Sequence, residues 1–171
     1  ASTLVKVDVA GDLVGGRDGG RINKAGFTIH SAIHQAVPEA NCVFHCHTVP
    51  GIAIGAQREG LLPLSFHSMF VYGQVGYHDA EGVTVVEDEM PRMLQALGNG
   101  KALMLRNHGT LVAASSVAEA FFLLFHLEKA CAIQVAAQAG GKELSLLSEA
   151  MAEHIRAQVA TNFATLADMM W

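Results

Sequence analysis

The stretch "KALMLRNHGTLVAA", residues 101 to 114, restricts the fold more than any other part of the chain. Two apolar runs flank Asn107-His108-Gly109, and Asn and Gly are the residues a sharp reversal demands, so the segment reads as strand, tight turn, strand. Strands joined this closely pair antiparallel. Immediately afterwards Ser116 and Glu119 have the spacing of a capping box, ahead of a helical pattern that runs to about Ala139 and stops at Gly140-Gly141. A hairpin followed at once by a long apolar helix points to a sheet covered by helices.

The remaining segments fit that plan. "STLVKVDVAGDLV" alternates apolar and polar residues around Ala10-Gly11-Asp12 and reads as a β-hairpin. "GGRDGGRINKAG" reads as a glycine-rich loop, and it lacks the G-x-G-x-x-G pattern that would make it a nucleotide cradle. Helical spacing runs from Phe27 to Val37, closed by Pro38, and the strand "CVFHCH" follows. "VPGIAIGAQREG" predicts a short helix ending at Gly60, and the connection "LLPLSFHSMFVYGQVGYHDAEG" predicts one or two short strands. "VTVV" predicts a strand, Glu87 to Leu97 a helix, and a last helix is expected from near Glu143.

With 51% hydrophobic and 16% charged residues in 171, the chain is expected to form one compact α/β domain over residues 1–171 with a sizeable core. A formal charge of −5 leaves no basic patch that would favour nucleic acid, so the expected partners are small molecules or other protein chains. Cys42, Cys46 and Cys131 are an odd set without a disulfide framework, which suits a reducing compartment such as the cytoplasm. Glu119, His126 and Glu128 interrupt the most apolar stretch well short of the roughly 20 residues a bilayer span requires, and no signal-peptide pattern opens the sequence.

Nine histidines are present, and their placement carries the chemistry. In an extended "CVFHCH", His45 and His47 point to one face at a spacing that two ligands of one divalent ion can span. Alone, this pair fits two hydrogen-bonded imidazoles at a strand edge equally well. His108 is a third candidate, presented at the tip of a turn and followed by a glycine that relaxes the backbone. Three neutral imidazoles with a free fourth position are what catalytic zinc requires. Cys42 and Cys46 face away from that set and read as small buried hydrophobes. His30 and His34 share a helix face, a pattern found more often on a merely polar face than at a metal. His67 and His78 lie in the long connection within reach of a pocket, whereas His126 and His154 read as packing or surface residues.

The segments "GFTIHSAIHQAVPEANCVFHCHT", "GLLPLS", "VGYHDAEG" and "LRNHGTLVAASSVAEAFFLL" together resemble the class II aldolase/adducin family, most closely its adducin-like branch, from about Ser2 to about Ala139. The resemblance implies a three-layer α/β/α sandwich with a central, largely antiparallel sheet, and for the enzymes a cyclic homotetramer with active sites between subunits. It implies zinc or another divalent metal on His45, His47 and His108, polarising a carbonyl and stabilising the enediolate left when a carbon–carbon bond breaks. Two departures accompany it. Gly26 stands where the aldolases carry a catalytic acid, and His67 falls near a position where sugar-phosphate aldolases use a tyrosine as proton donor. Family members also have several dozen residues before the first hairpin, so the N-terminal portion of the domain, with its phosphate cradle, is expected to be missing here.

Two functions follow as expectations. One is a zinc-dependent lyase acting on a small hydroxy-carbonyl or carboxylated compound, with His30 and His67 as the groups that move protons. The other is a non-catalytic, self-associating module of the adducin type, whose relatives serve the actin-based membrane skeleton.

Overall fold

A computed structural model describes residues 4–16, 21–82 and 87–170. The expected strand at 83–86 and residues 17–20 of the glycine-rich loop lie outside them. In chain order the elements are β1 (Val5–Val7), β2 (Leu13–Gly16), α1 (Lys24–Ala36), β3 (Cys42–Cys46), α2 (Val49–Gly55), α3 (Phe66–Met69), β4 (Val75–His78), α4 (Met90–Leu97), β5 (Ala102–Leu105), β6 (Gly109–Ala114), α5 (Val117–Ala139) and α6 (Glu149–Met170).

β1 and β2 form the expected hairpin as a separate two-stranded sheet. The central sheet has the order β3-β6-β5-β4, antiparallel at β3/β6 and β5/β6 and parallel at β4/β5. Side-chain alternation then divides the core into two faces. Cys42, Ala102, Met104, Val112 and Ala114 pack on Ile54 of α2 and on Leu123, Leu127 and Cys131 of α5. Val43, Leu103, Leu105, Leu111 and Ala113 pack on Ile29 and Ile33 of α1 and Met93 and Leu97 of α4. The result is the three-layer α/β/α architecture with helices on both faces of a mixed sheet.

α5 is long and apolar enough to cross a membrane by length and composition. Here Leu123 and Leu127, both fully buried, face the sheet, and each contributes about 1.5–3 kcal/mol by leaving water. The opposite side of α5 meets α6 through Phe122, Val159 and Ala167, with Phe70 completing this outer cluster.

Element boundaries depart from expectation where a cap decides them. α1 begins at Lys24 rather than Phe27 because Asn23 caps it, its Oδ1 accepting from the Gly26 amide at 3.4 Å. Gly15 and Gly16 belong to β2 instead of the loop, and Gly16, at φ 104°, lies so near Leu4 that a Cβ would come within 2.6 Å of its carbonyl oxygen. α2 stops at Gly55, five residues before the expected Gly60. The long connection holds one strand, β4, and an unforeseen helix, α3, whose Ser65 and Ser68 cap each other reciprocally. The helix expected over 87–97 opens with a 3-10 turn at Glu87–Glu89 and becomes α-helical at Met90. α6 starts at Glu149 and not near Glu143, because the Leu147 amide is already committed to the Pro63 carbonyl at 2.9 Å.

Candidate metal centre

His45 is the fourth residue of β3, His47 follows the strand's last residue, and His108 stands in the turn between β5 and β6. Because β3 pairs with β6, the end of one strand lies beside the start of the other, with Cys46 opposite Thr110. That register brings the three imidazoles together. Nε2 of His47 lies 2.8 Å from Nε2 of His45 and 2.9 Å from Nε2 of His108. One nitrogen from each ring falls within 4.8 Å of the others, a grouping that could hold a metal ion.

The backbone is shaped for this approach. Asn107 takes φ 60°, the left-handed conformation that asparagine tolerates, and so turns the chain immediately before His108. Gly109 is required by space: a Cβ there would collide with the Cys46 carbonyl oxygen and come within 3.0 Å of His47 Cδ2 and 3.2 Å of His45 Cε1. Asparagine and glycine therefore serve the turn, while His108 is what the turn presents.

Hydrogen bonding sets the protonation of His45. Its Nδ1 lies 2.9 Å from the Thr110 carbonyl oxygen, which can only accept, so Nδ1 carries the proton and the Nε2 lone pair faces the cluster. Burial pushes the His45 pKa down to about 4, and the charges of His108, His47 and His30 act in the same direction. His108 is also shifted down, by burial and then His47, against an opposing pull from the Glu89 carboxylate. Neutral imidazoles with converging lone pairs repel one another unless a proton or a cation sits between them. A soft-borderline divalent ion such as zinc matches an all-nitrogen donor set, and the residues present therefore fit the metal.

The other candidates divide. His30, on α1, is near enough to His45 for the two charges to oppose each other, and burial followed by His34 shifts its own pKa down. His34 is occupied elsewhere, its Nδ1 2.7 Å from the Ala40 carbonyl oxygen. His67 does not join the cluster's hydrogen bonds; its Nδ1 lies 2.9 Å from Nδ1 of His126 on α5. His78 is buried and paired with the buried Glu89 at 2.8 Å. His154 is exposed on α6. Gly26 sits at the start of α1, and the three described atoms nearest its would-be Cβ all belong to Asn23, at the ordinary contact distances of 3.8–3.9 Å.

Two acidic residues next to this region escape sequence reasoning. Glu89 and Glu128 read as an N-terminal helix residue and an interruption of an apolar run, yet Glu89 is buried and Glu128 accepts hydrogen bonds from Thr48 and Thr110. The one available signal was that a lone acid on an otherwise apolar helix face needs a partner.

The fold and this cluster together define a class, and comparison with known proteins supplies the family. Residues 1–135 match the model of the Class II Aldolase and Adducin N-terminal domain. The chain is 44% identical over 172 residues to a Caulobacter vibrioides protein named only by the aldolase class 2 family, covering all of this chain and 66% of that protein. It is 46% identical over 147 residues to alpha-adducin of Rattus norvegicus, covering 84% of this chain and 20% of the relative. Among solved structures, L-fuculose 1-phosphate aldolase from Glaciozyma antarctica superposes with a TM-score of 0.80 at 32% identity, covering 92% of this chain and 61% of that one. The chain belongs to the class II aldolase/adducin family, and it spans no more than about two thirds of the length of these relatives.

Proposed function

We propose that this chain carries the metal-binding part of a class II aldolase-type lyase acting on a small hydroxy-carbonyl or carboxylated compound. The convergence of Nε2 from His45, His47 and His108 carries the reading. A divalent metal, zinc by the donor set, would supply Lewis-acid stabilisation of negative charge on a substrate oxygen. The chain's own part is to hold three neutral rings in place, with Thr110 fixing the His45 tautomer. His30 is the nearer candidate for moving protons, since its charge acts on His45. His67 could act only on a substrate reaching the α3–α5 surface, where its ring meets His126 and Phe125. In this reading the domain occupies residues 1–171, works in the cytoplasm, as its three cysteines without a disulfide framework suit, and assembles as a homotetramer, as the family resemblance implies.

A second reading, a non-catalytic adducin-like module that self-associates and binds actin, is favoured by Gly26, which provides neither ligand nor base, and by the 46% identity to alpha-adducin. Substrate turnover separates the two. The zinc-loaded protein should release aldehyde or carbon dioxide from a panel of hydroxy-carbonyl and carboxylated compounds, and His45→Ala should abolish that release. A zinc-loaded protein inert across the panel, with an assembly state indifferent to His45→Ala, would establish the module instead.

A further inference from the structure

The two segments that carry the ligands are tied together from behind by a single acid. Glu128 projects from α5 toward the sheet, where Thr48 Oγ1 donates to its Oε2 and Thr110 Oγ1 donates to its Oε1. Thr48 directly follows His47, and Thr110 lies two residues after His108. Thr110 is fully buried, and its carbonyl is the acceptor that sets the His45 ring. The Thr48 hydroxyl also accepts from the Gly51 amide at 3.0 Å, so its only proton is directed at Glu128. Packing leaves no slack: a Cβ on Gly51 would lie 2.8 Å from Thr110 Cγ2, 2.9 Å from Thr48 Oγ1 and 3.1 Å from Glu128 Oε1.

We infer that Glu128 is a positioning residue of the metal centre, clamping the His47 and His108 segments to each other through Thr48 and Thr110 and fixing the His45 tautomer through the Thr110 carbonyl. An anchor for α5 alone would need no particular contact with these two threonines. Partners that orient metal ligands from outside the coordination shell typically change metal affinity 10–100-fold when removed. The effect here should fall in that range, because the carboxylate acts on two ligand segments at once.

The inference rests on the metal-site reading above, and the test separates the two. Wild type, Glu128→Gln and Glu128→Ala are compared with Gln134→Ala, a substitution of a buried α5 residue that holds Leu62 and Gly60 rather than the ligand segments. In the metal-free proteins, imidazole 15N shifts should show His45 as a single Nδ1–H tautomer in wild type, Glu128→Gln and Gln134→Ala, and as a mixture in Glu128→Ala. In chelator competition with zinc, Glu128→Ala should lose tenfold or more in affinity, with Glu128→Gln recovering much of it. Gln134→Ala should match wild type. The cobalt(II)-loaded visible spectrum should shift in Glu128→Ala only. If wild type binds no metal, the metal-site reading fails while the tautomer result still judges Glu128. If Glu128→Ala keeps the single tautomer, or keeps wild-type affinity where wild type binds, the clamp does not exist. Should Glu128→Ala fail to fold, Thr110→Val decides, because it removes one of the two hydroxyls that donate to Glu128 while keeping the backbone carbonyl that His45 Nδ1 meets: a mixed His45 tautomer or a weakened zinc affinity supports the clamp, and wild-type tautomer and affinity together overturn it.

Discussion

Gly109 shows how closely single atoms constrain this centre. Its missing side chain is where the Cys46 carbonyl and the rings of His45 and His47 come together. Gly109→Ala should therefore cost about 2 kcal/mol, the usual penalty for overpacking, and should weaken metal binding more than any comparably destabilising change elsewhere. Urea unfolding with parallel zinc titration checks both, and wild-type zinc affinity in a folded Gly109→Ala protein would show that the rings do not meet there. The three ligand candidates were legible in the sequence because alternation along "CVFHCH" is a strict geometric rule and because a turn exposes its central residue. Glu128 was not legible, since its partners are 18 and 80 residues away and no local pattern links them. His126 was read as ordinary packing or surface, and only the tertiary fold shows its Nδ1 facing that of His67.

The contact between α3 and α5 contains that pair, and it makes the fold sensitive to acid. Burial, then His67, pushes the His126 pKa down to about 4 from an ordinary 6.5. Between those values the unfolded chain binds more protons than the folded one, so stability is complete above about pH 6.5 and falls as the pH drops toward 4. His126→Phe keeps an aromatic ring among Phe70, Phe122 and Phe125 and removes the titration. The variant should show a shallower decline of the urea midpoint from pH 6.5 to 4, with a residual slope from His45, which is shifted to a similar value. Parallel declines in variant and wild type would contradict this. The same region limited what sequence could give for the elements. Helices set by long periodic runs, such as α5, are visible in the chain. α3 spans four residues, too few for periodicity to register, and α6 is delayed by a backbone bond to Pro63 that nothing local announces.

At the level of the whole molecule, sheet order converts local patterns into a site. The hairpin of β5 and β6 was readable from residues 101–114, but the placement of β3 beside β6 was not, because strand pairing across more than sixty residues leaves no periodic trace. That pairing joins the H-x-H segment to the N-H-G turn, and the parallel strand β4 on the far side of β5 makes the sheet mixed where hairpins alone would have kept it antiparallel. The account therefore depends on one geometric fact, that three Nε2 atoms from two separated segments are placed to share one cation. X-ray data from zinc-soaked crystals, collected on either side of the zinc absorption edge, test it most directly. A single anomalous peak within bonding distance of His45, His47 and His108 is the predicted result. Rings that remain paired only with one another and with the Thr110 carbonyl, and no peak between them at saturating zinc, would contradict it.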